Sequence, residues 1–304
     1  DGTRLLRLNE GLDSFHSAYV PGQVLTDRYY DAFLMPTLMG PAVKDGKRRV
    51  LIIGLAAGTM ARQIRLVDPE AEIHGVEIDP AIVDLGRRFF ELPSDTHVAA
   101  GLDGRVALRA LEGPWSAILV DAYASQIYLP AHLSTREFFE EARADLAADG
   151  VIALNLGGLS VDDPVVDALL GTLDAVFPGA RVQRLPRSRN LMALGFCASW
   201  PSMPRVEDRL IAAGLLPNLE HLLDDSRWAP ARAGAPVLVD GAAPLEHLAH
   251  ASWRGEWVER PPWDVVPTEP QLWVETVAQL VRAGRSSEAL SVLEREPHDA
   301  TSLQ

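Results

Sequence analysis

Arg48-Arg49-Val50-Leu51-Ile52-Ile53-Gly54-Leu55-Ala56-Ala57-Gly58-Thr59 decides how this chain folds. Two charges lead into a short unbroken apolar run, the pattern of a strand buried on both faces of a parallel sheet. Gly54 and Gly58 then interrupt it, and residues 60–67 have the spacing of a helix. The same rhythm repeats downstream. It predicts strands over 72–78, 97–99, 115–120 and 151–156, and helices over 80–90, 105–111, 135–147 and 164–176. Strands alternating with helices at this interval pair in parallel through right-handed crossovers. Residues 180–185 and 191–198 break the alternation and read as a closing antiparallel hairpin.

Upstream, residues 3–8 and 12–20 read as two strands around the turn Asn9-Glu10-Gly11, ended by Pro21-Gly22. Thr26 then caps a helix carrying Tyr29, Phe33 and Leu34 on one face. Downstream of Trp200 the composition shifts, and the prolines between Pro230 and Pro270 imply irregular structure and linker. Residues 269–280 and 287–293 read as a helical hairpin like one tetratricopeptide unit, which cannot bury its own face alone. The expected divisions are a β-unit and first helix over 1–40, a main domain over 41–200, a Pro-rich extension packing on it over 201–265, and the hairpin over 266–304.

Composition narrows the function classes. The 304 residues carry 28 Lys and Arg against 42 Asp and Glu, a net charge of −14, which argues against a nucleic-acid partner and suits cationic ligands or simply solubility. Cys197 is the single cysteine, so neither an intramolecular disulfide framework nor a multi-thiolate zinc site can form. The nearly charge-free stretch 50–61, broken by Gly54 and Gly58, is far short of the roughly 20 residues that cross a bilayer, and no signal peptide is visible. Asp1 in place of Met suggests a trimmed sequence. A cytoplasmic protein is expected, with a membrane-anchored full-length form and a homodimer left open. His16, His74, His97, His132, His221, His247 and His250 show no paired metal-ligand spacing with carboxylates, except weakly His247 and His250 near Glu246, and read as surface or core residues, so no metal is expected.

Chemistry-bearing residues recur at the carboxyl ends of the predicted strands, where open α/β sheets bind ligands. Gly54, Ala57 and Gly58 form a G-x-x-x-G loop opening a helix, without the middle glycine of a dinucleotide fingerprint. Glu77 ends the second strand, where an ionised carboxylate accepts from both ribose hydroxyls. Asp79 reads as the cap of the helix starting at Pro80. Asp103, before Gly104, can accept from an adenine amine or cap the next helix. Together these groups favour an adenosine-bearing ligand. Asp121 closes the fourth strand directly after Ile118-Leu119-Val120, a costly place for a carboxylate unless it is paired or functional. With Tyr123 beside it, Asp121 can orient an amine and take its proton.

These pieces, in this order, resemble the polyamine aminopropyltransferases, that is, spermidine synthases and spermidine-synthase-like proteins. The likeness runs over residues 5–198 and on through Val237-Leu238-Val239-Asp240 to Glu246. It is carried by Tyr29-Tyr30-Asp31 where the family has Y-H-E, the Gly54 loop, Val76-Glu77-Ile78-Asp79, Asp103-Gly104-Arg105 and Asp121. A further carrier is Leu133-Ser134-Thr135-Arg136-Glu137-Phe138-Phe139, near the family's L-[FY]-T-x-E-F-[FY]. The resemblance implies a Rossmann-like, seven-stranded α/β sheet of the adenosylmethionine-dependent methyltransferase type, with a small N-terminal β-unit and the C-terminal helical hairpin. It implies a transferase that moves an aminopropyl group from decarboxylated S-adenosylmethionine, a co-substrate with no tightly bound cofactor, to a small cationic amine. Asp121 would be the base, Glu77 the ribose ligand and Asp103 the adenine ligand, while Tyr29 and Tyr30 line the amine pocket.

Three departures bear on substrate. Ala57 stands where the family's loop has an Asp, D-S-S-D-P becomes Asp121-Ala122-Tyr123-Ala124-Ser125, and Tyr30 replaces the His. Each lost carboxylate removes an ion pair worth about 1–3 kcal/mol when desolvated. This is the pattern of a divergent branch. Two alternatives follow: S-adenosylmethionine as donor with methyl transfer, or a non-catalytic ligand-binding scaffold.

Overall fold

A computed structural model describes residues 2–8, 15–123, 129–158, 160–186, 188, 190–245 and 248. The expected turn at 9–11, Ala124 and Ser125, Glu246, His247, His250 and the helical hairpin lie outside the described residues.

The apolar run at 50–53 lies in β3 (Arg49–Ile53), buried along its whole length. It is the hub of an eight-stranded sheet, with two strands on one side of it and five on the other. β4 (Glu72–Glu77) and β5 (His97–Ala100) lie on one side of β3, and β6 (Trp115–Val120) and β7 (Leu146–Gly157) on the other, all parallel. The chain therefore runs outward through β4 and β5, then jumps back across β3 to start β6. That reversal opens a crevice between the carboxyl ends of β3 and β6. β8 (Arg181–Arg184) and β9 (Asn190–Phe196) form the expected antiparallel pair, with β9 against β7. The two-residue β10 (Ala229–Pro230) adds an eighth strand that no periodicity announces.

Alternation along the strands divides the core between two faces. Val50, Ile52, Ala117 and Leu119 face α1 (Leu34–Met39), α2 (Thr59–Val67) and α7 (Met203–Ala212). Leu51, Ile53, Ile118 and Val120 face α4 (Gly104–Ala110), α5 (Arg136–Asp145) and α6 (Pro164–Val176). Asp79 accepts from Ala81 N at 2.9 Å and caps α3 (Pro80–Phe89), with Pro80 at its first turn.

Two local expectations change. Thr26 caps no helix: its N–H and Oγ both donate to Asp31, and the segment coils first as a 3-10 turn, Tyr29–Phe33, before α1. The carboxylate four to five residues on outcompetes the cap, because it collects Thr26, the Asp27 N–H and Gln63 Nε2 together. β7 begins at Leu146, five residues before the expected start at 151, and pairs to Trp115 across an irregularity. Beyond Trp200, α7 and the short α8 (Leu216–Leu219) bring Leu210, Leu215, Leu219 and Trp228 into the first core.

At the N-terminus, β1 (Arg4–Leu6) and β2 (Ser17–Tyr19) pair antiparallel. This hairpin is fastened to the glycine loop. Thr59 Oγ1 accepts from Ala18 N at 2.8 Å and donates to Ala18 O at 2.9 Å, and Ala57 N donates to Ser17 Oγ at 2.9 Å.

Candidate active site

The ends of β3 and β6 meet so closely that only glycine fits at 54. Its φ is +88°, and a Cβ there would lie 2.4 Å from the Asp121 carbonyl oxygen and 2.8 Å from Ala122 N. The Asp121 N–H in turn donates to Ile53 O at 2.8 Å, which pins the start of the crevice loop to β3. Gly58, with φ +91°, opens α2, and a Cβ there would strike Leu92. Between the two glycines Ala56 sits at φ +48°, an uncommon conformation for a residue with a side chain. That twist aims its N–H at Glu77 Oε2, 2.8 Å away.

Asp121 is partly buried and held from two sides. Tyr29 OH donates to Oδ2 at 2.9 Å, and Asn155 Nδ2 donates to Oδ1 at 2.6 Å. Withdrawal from water raises its carboxyl from the ordinary 3.8 to about 7, the two donors pull it down, and the nearby Glu77 charge adds to the rise. Asn155, buried in β7, accepts at Oδ1 from Asn190 Nδ2 at 2.8 Å, and Asn190 Oδ1 accepts from Ser188 Oγ at 2.5 Å. Each amide is thereby oriented with its NH2 toward Asp121. Tyr123, expected beside the carboxylate, instead donates to Asn155 O at 3.0 Å, so the hydroxyl that reaches Asp121 is Tyr29's. Burial, with Asp121 next to it, holds the Tyr29 hydroxyl well above the ordinary tyrosine range, so it stays a donor. Tyr30 is fully buried, its ring 4.0 Å from that of Tyr29 and its OH on Phe15 O at 3.1 Å, so it braces Tyr29 from behind.

Glu77, 7% exposed, accepts from Ala56 N at one oxygen and from Asp79 N at the other, at 3.0 Å. Burial raises its carboxyl while these two backbone donors lower it. Each oxygen keeps a further lone pair for a hydroxyl. Asp103 caps α4 through Oδ1, accepting from Arg105 N and Val106 N at 2.9 and 3.2 Å, and its Oδ2 meets His132 Nε2 at 2.6 Å. Any adenine amine must therefore share Oδ2 with His132. Gly104 lets α4 start against β3, since a Cβ would lie 2.4 Å from Ile53 Cγ2. Ala57 is closed off: its N–H goes to Ser17, and its methyl packs with Leu6, Tyr19, Ile82 and Phe90 under the hairpin. The structure thus brings Tyr29, Glu77, Asp121 and the Gly54 loop together and leaves Ala57 beneath.

Two residues of this site, Asn155 and His132, carry no signal of their own in the sequence. Asn155 lies within an apolar strand, and only the β6–β7 register places it against Asp121. His132 reaches Asp103 through a 3-10 turn, Ala131–Leu133.

Comparison with known proteins finds polyamine aminopropyltransferases and also methyltransferases, among them an eEF1A lysine and N-terminal methyltransferase of Bos taurus that is 29% identical over 147 residues, covering 45% of this chain and 21% of that protein. Residues 35–186 match the spermine/spermidine synthase domain. A probable polyamine aminopropyl transferase of Bifidobacterium longum is 38% identical over 154 residues, covering 50% of this chain and 33% of that protein. A polyamine aminopropyltransferase of Vibrio vulnificus is 31% identical over 198 residues, covering 62% of this chain and 64% of its own. This chain therefore spans between a third and just under two thirds of those relatives. The crystal structure of a probable spermidine synthase from Corynebacterium glutamicum superposes with a TM-score of 0.58 at 22% identity, over 76% of this chain and 88% of that one, which places the fold in the same α/β class. By the span of its matching domain, the chain belongs to the spermine/spermidine synthase family.

Proposed function

We propose that this protein is a transferase that moves the aminopropyl group of decarboxylated S-adenosylmethionine onto a small amine, with Asp121 as the base. The observation that carries the reading is the Asp121 constellation: a carboxylate at the switch point, gripped by Tyr29 and Asn155 and tuned to about 7. A base with that value is about half ionised at neutral pH, and its ionised form takes the proton from an ammonium. The free amine then attacks the carbon beside the sulfonium in line. The new C–N bond forms as the C–S bond breaks, methylthioadenosine leaves as a neutral thioether, the sulfonium's positive charge passes to the product ammonium, and Asp121 gives the proton it took to water.

The remaining residues supply position. Glu77 would take the ribose hydroxyls on the lone pairs left by Ala56 and Asp79, and Asp103 would take the adenine amine at Oδ2 beside His132. Gly54, Gly58 and Gly104 would give the backbone clearance the donor needs. Tyr29 would fix the side of Asp121 from which the amine approaches. The acidic balance of the chain suits two cationic substrates.

The test is release of methylthioadenosine from purified protein given the decarboxylated donor and a panel of mono- and diamines. Turnover that is lost in Asp121→Asn, with methylthioadenosine still binding the variant, supports the reading. Turnover unchanged in Asp121→Asn removes Asp121 as base. Calorimetric preference for S-adenosylmethionine over the decarboxylated donor would favour methyl transfer instead.

A further inference from the structure

At the end of the sheet opposite the Gly54–Asp121 crevice, three ligand-type side chains from two strands converge. His74 of β4 and His97 of β5 are in register across the parallel pair, and their rings stack with centroids 4.6 Å apart. Glu72 lies two residues before His74, so it projects from the same face of the sheet. Its carboxylate meets His74 Nε2 at 2.7 Å. One ligating atom from each of the three can be chosen so that all lie within 4.8 Å of one another.

We propose that Glu72, His74 and His97 form a site for a zinc-type divalent transition-metal ion that clips β5 to β4. Two imidazoles and one carboxylate are a donor set for such an ion, with a fourth position left to water. A tetrahedral zinc with bonds of about 2.0–2.1 Å requires donor atoms about 3.4 Å apart. His97 is exposed and has room to close that difference by turning its ring, while His74 is held against Trp115, ring centroids 4.9 Å apart. The competing cation is Arg49, whose Nε lies 3.0 Å from Glu72 Oε1. It does not fill the site. The hydrogen bonds to Glu72 fall on Oε1, leaving Oε2 for a metal. Arg49 also has its own anchors in Glu112 O at 3.0 Å and the Trp115 ring at 4.5 Å. β5 is the edge of the sheet, four residues long with none fully buried, so a cross-strand clip acts where packing contributes least.

The experiment titrates the full chain with zinc sulfate by calorimetry and with cobalt(II) by visible absorption, and follows the melting temperature with and without zinc. Expected are one equivalent bound with a dissociation constant of order micromolar, tetrahedral cobalt absorption, and a melting temperature that rises with zinc. His97→Ala, at an exposed position, should weaken binding at least about tenfold and abolish the rise. Glu72→Gln should do the same when compared with its own metal-free melting temperature. No saturable binding up to 100-fold molar excess of zinc, or binding unchanged in His97→Ala, overturns the proposal. None of these readouts depends on turnover, so they stand or fall apart from the aminopropyl-transfer reading.

Discussion

As the proposed base, Asp121 sets function against stability. Its carboxyl is raised from 3.8 to about 7 because ionisation must occur away from water. The folded state thus holds this proton more tightly than the unfolded chain, and the ionised form weighs against folding. The penalty is absent below about pH 4, grows between pH 4 and 7, and reaches up to about 4 kcal/mol above pH 7. Asp121→Asn keeps a neutral group that can still pair with Tyr29 and Asn155. It should therefore stabilise the protein at pH 8 by up to about 4 kcal/mol and by nothing at pH 4, while abolishing transfer. Urea melts at the two pH values measure this, and an equal effect at both would show that Asp121 carries no raised value. Activity of the unmodified protein should rise with pH through a limb near 7, because only the ionised carboxylate accepts a proton. Asn155→Ala removes a donor that favours the ionised form, so that limb should shift upward, whereas a residue that merely packed would leave it in place.

At the scale of elements, the N-terminal hairpin governs the glycine loop. Thr59→Val removes both bonds to Ala18 and strands a buried N–H and C=O, which should cost about 1–3 kcal/mol in a denaturant melt. The hairpin also gives Ala57 its meaning. The position reads in sequence as a lost carboxylate, yet its methyl packs among Leu6, Tyr19, Ile82 and Phe90. Ala57→Asp would bury a carboxylate in apolar surroundings, so it should destabilise the fold by several kcal/mol and not improve turnover. Equal stability with faster turnover would show that position 57 opens to the donor. The same contrast separates what is legible in the sequence from what is not. β3, β4, β6 and α3 are readable because their apolar runs and the Asp79-Pro80 cap act locally. The early start of β7, the Asp31 knot around Thr26 and the Asn155 contact arise from pairing between distant segments, to which local periodicity is blind. Glu77 and Asp121 are legible because a carboxylate at the end of an apolar strand is costly wherever it falls. His132 is not, because its partner is set by a turn.

Across the whole molecule, Arg105 ties the 238–240 segment to the main sheet. Only 7% of its side chain is exposed; it donates to both oxygens of Glu141, and to Asp240 at 2.6 and 2.9 Å. Thr135 Oγ1, which also caps α5, donates to Asp240 Oδ1 at 2.7 Å, and Arg136 N donates to Leu238 O at 2.9 Å. One guanidinium therefore joins α4, α5 and a segment 135 residues downstream, and it seats Leu238 in the core beside α6. Hydrogen bonds from Arg105 hold both carboxyls down at about 2, so each lies below its unfolded value. Stability from these pairs is present above about pH 4 and is lost as pH falls toward 2. Both carboxylates keep some contact with water, which screens the attraction, so Arg105→Met should cost about 1–3 kcal/mol at pH 7 rather than the larger loss of a fully buried pair. Methionine retains most of the buried aliphatic stem, so the loss reports charge and hydrogen bonds more than packing. The difference between the two proteins should shrink steadily from pH 4 to pH 2, because protonated Glu141 and Asp240 have little left to lose. A difference that stayed constant to pH 2 would assign the role of Arg105 to packing, and the 238–240 segment would then be held by its hydrogen bonds to Thr135, Arg136, Glu137 and Thr172 and by the burial of Leu238.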